Sequence, residues 1–370
     1  MPTFFWTEER PSGGEPTGPA PHEWRPLVGD PVRSEFHPAG ETATAHHLAT
    51  EQFPAHKIAV VIPCYRVRAH ILNVLATIGP EVETIYVVDD ACPEGTGKYV
   101  ESHCDDPRVT VLYQPENSGV GGATLAGFVR AWADGAEIVV KLDGDGQMDA
   151  SRISVLVRPL AEGLADYAKA NRFFAPELLG EMPLLRLLGN SALSFITKIS
   201  SGYWRVMDPT NGFIAMHARI LGLMPINKID RTYFFESDML FRLNTLRAVV
   251  AEVPMPARYG DETSNLRISR AILPFAAKHV RCFVKRIFYN YFLRDFNLGS
   301  VQLVSGTLLT LFGTVFGGAA WWQHSQAHQA TPTGTVMIAA LPILVGIQLL
   351  LSAINYDILS EPRVPLHRQL

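Results

Sequence analysis

Between Lys57 and Val140 four short apolar runs recur: Ile58-Ala-Val-Val-Ile62, Thr84-Ile-Tyr-Val-Val88, Val109-Thr-Val-Leu-Tyr113 and Ala136-Glu-Ile-Val-Val140. Each is separated from the next by a segment long enough for a helix. Apolar residues at consecutive rather than alternate positions predict strands buried on both faces. Strands alternating with helices predict an α/β fold, a mostly parallel sheet with helices on both sides. Ligands in such sheets bind beyond the carboxyl ends of the strands, where this chain places its unusual residues. Residues 1–55, rich in Pro, Gly, His and acidic side chains without a sustained period, are expected to form an irregular N-terminal arm.

Toward the C-terminus the pattern changes. Two uncharged stretches, roughly Leu298 to Trp322 and Thr335 to Ile354, are long enough as helices, at about 1.5 Å per residue, to cross about 30 Å of hydrocarbon. The segment joining them carries no Lys or Arg. Lys278, Arg281, Lys285, Arg286 and Arg294 precede the pair, and Arg363 and Arg368 follow it. That bias predicts an integral protein of the inner (cytoplasmic) membrane or its equivalent, with the α/β domain and both termini in the cytoplasm. Trp321 and Trp322 are expected at the far interface. In the preceding stretch, Val280, Phe283, Ile287 and Tyr291 recur at helical steps while Lys278, Arg281 and Lys285 line another side. This predicts an amphipathic helix at headgroup level. The expected organisation is an arm (1–55), an α/β domain (56–265), juxtamembrane helices (266–296), two transmembrane helices (297–356) and a tail (357–370).

Composition supports this division. Of 370 residues 47% are hydrophobic, and the excess sits in the C-terminal stretches. A net charge of -4 gives no reason to expect nucleic acid as a partner. The four cysteines have neither C-x-x-C nor zinc-like spacing, which points to packing roles in a reducing compartment. The oligomeric state stays open, a homo-oligomer included.

The strand ends carry the candidate chemistry. After the first, Pro63, unable to donate to a ladder, is expected to close the strand and turn Tyr65 into the crevice, where an aromatic can pack on a base. After the second come Asp89 and Asp90; one is expected to cap a helix and the other to accept hydrogen bonds from a nucleoside. Next, Asn117-Ser-Gly119-Val-Gly121-Gly122 opens a helical pattern, and its glycines allow close backbone approach to a nucleotide. The fourth strand releases Asp143-Gly-Asp145-Gly-Gln147. Two carboxylates and a side-chain amide, with glycines loosening the turn, are hard oxygen donors suited to Mg²⁺ or Mn²⁺.

In this order the four motifs resemble those of the family 2 glycosyltransferases of GT-A fold. Gln147 after the two aspartates resembles the D-x-D-x-Q of the dolichol- and polyprenyl-phosphate sugar synthases. Ala170-Asn-Arg172-Phe stands where that branch has G-S-R-Y, Arg186 precedes a helix carrying Lys198, and Asp208-Pro-Thr-Asn-Gly212-Phe213 resembles D-x-x-S-G-F. Glu252-Val-Pro-Met and Arg258-Tyr-Gly-Asp-Glu-Thr-Ser264 resemble E-V-P-I and R-x-G-x-S. The chain departs from the pattern at Arg66-Val67, usually Asn-Glu, and at Val120, often a cation. The resemblance implies a metal-dependent, inverting transfer of a hexose from a UDP- or GDP-sugar to a polyprenyl-phosphate lipid. Asp143, Asp145 and Gln147 would hold the metal. Pro63, Tyr65, Asp89, Asp90, Asn117, Gly121 and Asp143 would hold the nucleotide, and Arg172, Arg186 and Lys198 the acceptor phosphate. Asp208 would lie near the metal or that phosphate; the residues allow nearly as well a helix cap or an ion pair with one of the arginines. Two other readings are a hydroxyl acceptor, with Glu236 or Asp238 as base, and a membrane-bound nucleotide-sugar binder without turnover.

Overall fold

The computed structural model describes residues 56–174, 184–255 and 268–370; the side chains of 184–188 and 268–272 are outside that description. The expected arm and the Arg258 to Ser264 motif lie outside the described residues. The first four strands form where the apolar runs place them: β1 Ile58–Cys64, β2 Thr84–Asp89, β3 Val109–Tyr113 and β4 Ile138–Lys141. With β5 Tyr167–Asn171, β6 Ile214–His217 and β7 Val250–Pro254 they make a seven-stranded sheet in the order β3-β2-β1-β4-β6-β5-β7. All pairs are parallel except those of β6, which runs antiparallel to both β4 and β5.

Alternation along β1 sorts its side chains into two cores. Ile58, Val60, Ile62 and Cys64 pack on one face with helices α1 Ile71–Ala76 and α4 Ile153–Ala161. Ala59 and Val61 pack on the other with α3 Gly119–Ala133 and α7 Phe235–Leu246. The helices α2 Thr96–His103 and α6 Ala218–Leu223 complete the layers. A mostly parallel sheet covered on both faces is thus the GT-A-like architecture the sequence implies.

Pro63 does not close β1. It pairs with Val88, and the strand runs on to Cys64. Val61 and Pro63 face β4, whose register with β1 stops at Val61. The missing proline N–H therefore falls where no strand needs a donor.

Helix α5 Leu184–Ser201 packs against α8 Ile268–Phe288, which passes through a π-helical turn, Tyr289–Leu293. The faces of α8 differ from the expected ones. Cys282, Arg286 and Tyr291 are buried, whereas Val280, Val284 and Phe288 form an outward apolar stripe, each more than half exposed. Two long helices follow, α9 Leu298–Gln326 and α10 Thr333–Leu359, with mean hydropathies of 1.6 and 2.3. By length and composition both can cross a membrane. They approach closely on small residues: a Cβ on Gly306 would lie 2.9 Å from the Gly346 carbonyl, and one on Gly346 would strike Thr310. After α10 the chain returns to the sheet. The Leu366 and His367 N–H groups, with His367 Nδ1, bond the buried Asp166 carboxylate at 2.7–2.8 Å.

Candidate active site

The crevice lies beyond the carboxyl ends of β1, β2, β4 and β5. Three non-glycine residues there hold left-handed backbone: Arg66, Ala91 and Asp208, with φ of 60°, 49° and 49°. Such conformations survive only where the surroundings fix them. Tyr65 is exposed, with the Arg66 guanidinium 5.4 Å from its ring centre.

Asp89 and Asp90 are both buried, and both hold backbone. Asp89 accepts from the N–H groups of Cys92 at 2.7 Å and Gly97 at 2.6 Å, fixing the start of α2. Asp90 accepts from Ser118 N and Oγ at 2.7 and 2.8 Å and from Gly119 N at 2.9 Å, fixing the start of α3. Both aspartates therefore hold helix starts, where one was expected to. Backbone donors at two helix starts, among them the N–H groups of Gly97 and Ser118, find their acceptors in these carboxylates. Asn117 is exposed and accepts from Gly119 N.

The α3 glycines approach protein rather than an open cleft. A Cβ on Gly121 would lie 2.7 Å from the Asp230 carbonyl and 2.9 Å from Phe235 Cβ, and Gly122 N donates to the Arg231 carbonyl. Their smallness seats α3 against the entry to α7.

The fourth strand ends at Lys141 and releases the aspartates into a turn. Only Gly146, at φ 78°, needs glycine's conformational freedom. Gly144 is required for space, because a Cβ there would press on Val67 at 3.0 Å. Asp143 is partly exposed and Gln147 exposed; Asp145 Oδ1 accepts from Gln147 N at 3.0 Å. Asp143 Oδ1 accepts from Lys141 Nζ at 2.6 Å. Its Oδ2 faces Gly212, where a Cβ would lie at 2.7 Å, so the lack of a side chain at Gly212 leaves that oxygen open. Among the described residues no three His, Cys, Asp or Glu gather as a closed metal cage. Two carboxylates and an amide fit instead a hard cation that keeps coordination positions for water and phosphate.

Beneath this turn lies a buried ionic layer that sequence reading missed. Lys141 is 1% exposed and also pairs with Glu236 at 3.3 Å. Burial would lower its ammonium, but Asp143 and Glu236 outweigh that and hold it above its ordinary value. Glu236, buried on α7, is pushed up by burial. Asp238 pairs with Arg242 at 2.9 Å. Both candidate bases are thus engaged with cations. Lys169 on β5 is fully buried and donates to the Asn211 carbonyl at 2.8 Å; burial lowers it to about 8. Glu252 on β7 accepts from Asn171 Nδ2 and Met207 N, and burial raises it to about 7. Lysines set within apolar strands, Lys141 at the end of β4 and Lys169 in the middle of β5, were the available signal.

Two of the three expected cations, Arg172 and Lys198, bond to one loop, Trp204 to Gly212. Arg172 and Asp208 form a two-point ion pair, Nε to Oδ2 and Nη2 to Oδ1, both at 2.7 Å. This is the ion pair with an arginine that the residues allow for Asp208. Lys198 donates to the Trp204 carbonyl at 2.7 Å. The indole of Trp204 donates to Asp357 of α10 at 2.8 Å. One loop therefore touches the aspartate turn through Gly212, Arg172 through Asp208, Lys198 through Trp204, and the apolar hairpin through the Trp204 indole. Arg186 stands in the first turn of α5, with its side chain outside the description.

The sequence pattern defining Glycosyl transferase family 2 matches residues 59–222. The undecaprenyl-phosphate mannosyltransferase of Micrococcus luteus is 30% identical over 207 residues, 54% of this chain and 82% of that one. The chain belongs to glycosyltransferase family 2. This family 2 enzyme is also 28% identical to the UDP-N-acetylglucosamine–dolichyl-phosphate N-acetylglucosaminyltransferase of Methanococcus voltae, over 59% of its own length and 92% of the relative's. Its relatives thus fall in the polyprenyl-phosphate sugar synthase branch. Among solved structures it is similar to mannosyl-3-phosphoglycerate synthase from Rubrobacter xylanophilus, at 17% identity and a TM-score of 0.49 over 65% of this chain and 77% of that one.

Proposed function

We propose that this glycosyltransferase moves a hexose from a nucleotide diphosphate sugar to a polyprenyl phosphate at the cytoplasmic membrane face. The carrying observation is the loop Trp204 to Gly212, which links the aspartate turn, two cations and the apolar hairpin. The names of the relatives support the lipid phosphate, and the outward stripe of α8 supports a crevice held at a lipid surface.

The acceptor phosphate oxygen attacks the anomeric carbon from the face opposite the leaving group. The carbon–oxygen bond to the diphosphate breaks, the nucleoside diphosphate departs, and configuration inverts. A phosphate monoester with a second pKa of about 6 is largely ionised at neutral pH, so no strong base is required. This agrees with the engagement of Glu236 and Asp238 in ion pairs. Arg172, braced by Asp208, and Lys198 would orient the acceptor, together with Arg186. Tyr65 and Asn117, the exposed groups at the nucleotide side, would contact the donor, and Asp90 would take part only through lone pairs its backbone donors leave. Asp143, Asp145 and Gln147 would hold Mg²⁺ or Mn²⁺, which when bound neutralises charge on the leaving diphosphate.

The test uses the full chain in detergent with labelled UDP- and GDP-sugars, Mn²⁺ and a short polyprenyl phosphate. Label entering the lipid phase supports the reading, and its loss in Asp145→Asn with melting unchanged supports the metal assignment. Label on a hydroxyl acceptor, or binding without product, overturns the reading.

A further inference from the structure

A second polar site lies where the hairpin meets the α/β layer. A cavity of about 180 Å³ opens between the end of α7, the π-helical turn, the start of α9 and the end of α10. Asn244, Arg247, Asn290, Arg294, Asn297 and Tyr356 contribute to its wall. Nothing in the transfer reaction uses these residues, and the Trp204 to Gly212 loop does not line the cavity.

The wall holds two arginines and two aspartates, and because Arg286, outside the wall, answers Asp357, two guanidiniums stand there against the single carboxylate of Asp295. Arg247, in left-handed backbone at φ 66° just past α7, has no side-chain partner among the described residues. Among the described residues Arg294 reaches only neutral groups, the Thr245 carbonyl and Asn290 Oδ1. Of the wall's two carboxylates, Asp357 is paired with a cation and Asp295 is held by a neutral amide. Asp357 accepts from Arg286 at 2.6 and 3.0 Å and from the Tyr291 hydroxyl at 2.6 Å; Asp295 accepts from Asn297 Nδ2 at 3.2 Å. Burial and the nearby Arg247 both push the Arg294 guanidinium down, a repulsion an anion would relieve. Asparagine amides beside two guanidinium forks are the donors a phosphate requires.

The surroundings decide the source of that phosphate. Leu293, Phe296 and Leu298, each more than 60% exposed, stand in the same segment as Arg294 and Asn297. A polar cavity beside an apolar collar, where one apolar helix begins and the other ends, matches a headgroup with acyl chains attached. We propose that this cavity binds the phosphate of an anionic glycerophospholipid, held as a fixed lipid distinct from the acceptor. The inference rests on the reading that α9 and α10 cross a bilayer.

The experiment adds phosphatidylglycerol, phosphatidylcholine or glycerol 3-phosphate to the delipidated full chain in neutral detergent and follows thermal unfolding. Phosphatidylglycerol is expected to stabilise beyond phosphatidylcholine. The doubly substituted Arg247→Gln/Arg294→Gln protein should bind it about ten-fold or more weakly, and Arg247→Lys/Arg294→Lys should recover part of that loss. Equal effects of the two lipids, or a Gln variant that keeps the preference, overturn the proposal. Equal stabilisation by glycerol 3-phosphate assigns the cavity to a soluble phosphate and overturns the lipid. Because no sugar donor is present, failure here leaves the transfer reading standing. Failure of transfer with the lipid preference intact leaves this proposal standing.

Discussion

At the scale of single residues, Lys141 governs the site although it touches no substrate in the proposed reaction. It is buried between Asp143 and Glu236, so Lys141→Met leaves two carboxylates without their cation. Unpairing a buried charge costs about 3–5 kcal/mol, and denaturant melts of the detergent-solubilised protein should show a loss of that order. Glu252 gives a pH signature. Burial raises its carboxyl from an ordinary 4.5 to about 7, so the folded state holds its proton more tightly than the unfolded chain does. That contribution is fully present below pH 4.5 and fades as pH rises through 7, by at most roughly 3 kcal/mol. Melting temperatures between pH 5 and 8 should fall less steeply in Glu252→Gln than in the parent. The strand-end motifs were legible because they interrupt apolar runs. Their partners were not: Lys141 and Asp143 are neighbours in sequence, but Glu236 joins them only through the packing of α7.

At the scale of elements, glycine reads differently in structure than in sequence. Gly121 and Gly144, expected to serve a nucleotide and a flexible turn, instead let protein approach protein. Sequence alone does not separate these roles, since both require a missing side chain. The apolar hairpin was legible from hydropathy, with each helix extending a few residues beyond the predicted span. Its close contact was not, because Gly306, Gly313 and Gly346 come together only once the helices pair. Gly346→Leu should push α9 and α10 apart, with strain of about 1–3 kcal/mol. Introduced cysteines at Thr310 and Gly346 flanks should then crosslink more slowly than in the parent. For α8 the periodicity was legible but the burial of Arg286 was not: cited only among the cations that flank the hairpin, it is buried against Asp357.

At the scale of the whole molecule, two buried carboxylates among the described residues join the hairpin and its tail to the α/β layer. One is the Asp357 carboxylate, shared by Arg286, Tyr291 and Trp204. The other is that of Asp166, which holds the returning tail. Removing residues 365–370 deprives buried Asp166 of three donors and leaves it the Val249 N–H. A loss of about 1–3 kcal/mol is expected, read as a lower melting midpoint. No sequence pattern announced either junction, because each joins residues more than 60 positions apart. Two such fastenings make a stiff mount. When acyl chains shorten or lengthen, a hydrophobic hairpin accommodates by leaning, and here the crevice must lean with it. Turnover in vesicles should therefore pass through an optimum as acyl length is varied, and loosening the mount with Asp357→Asn should broaden that optimum.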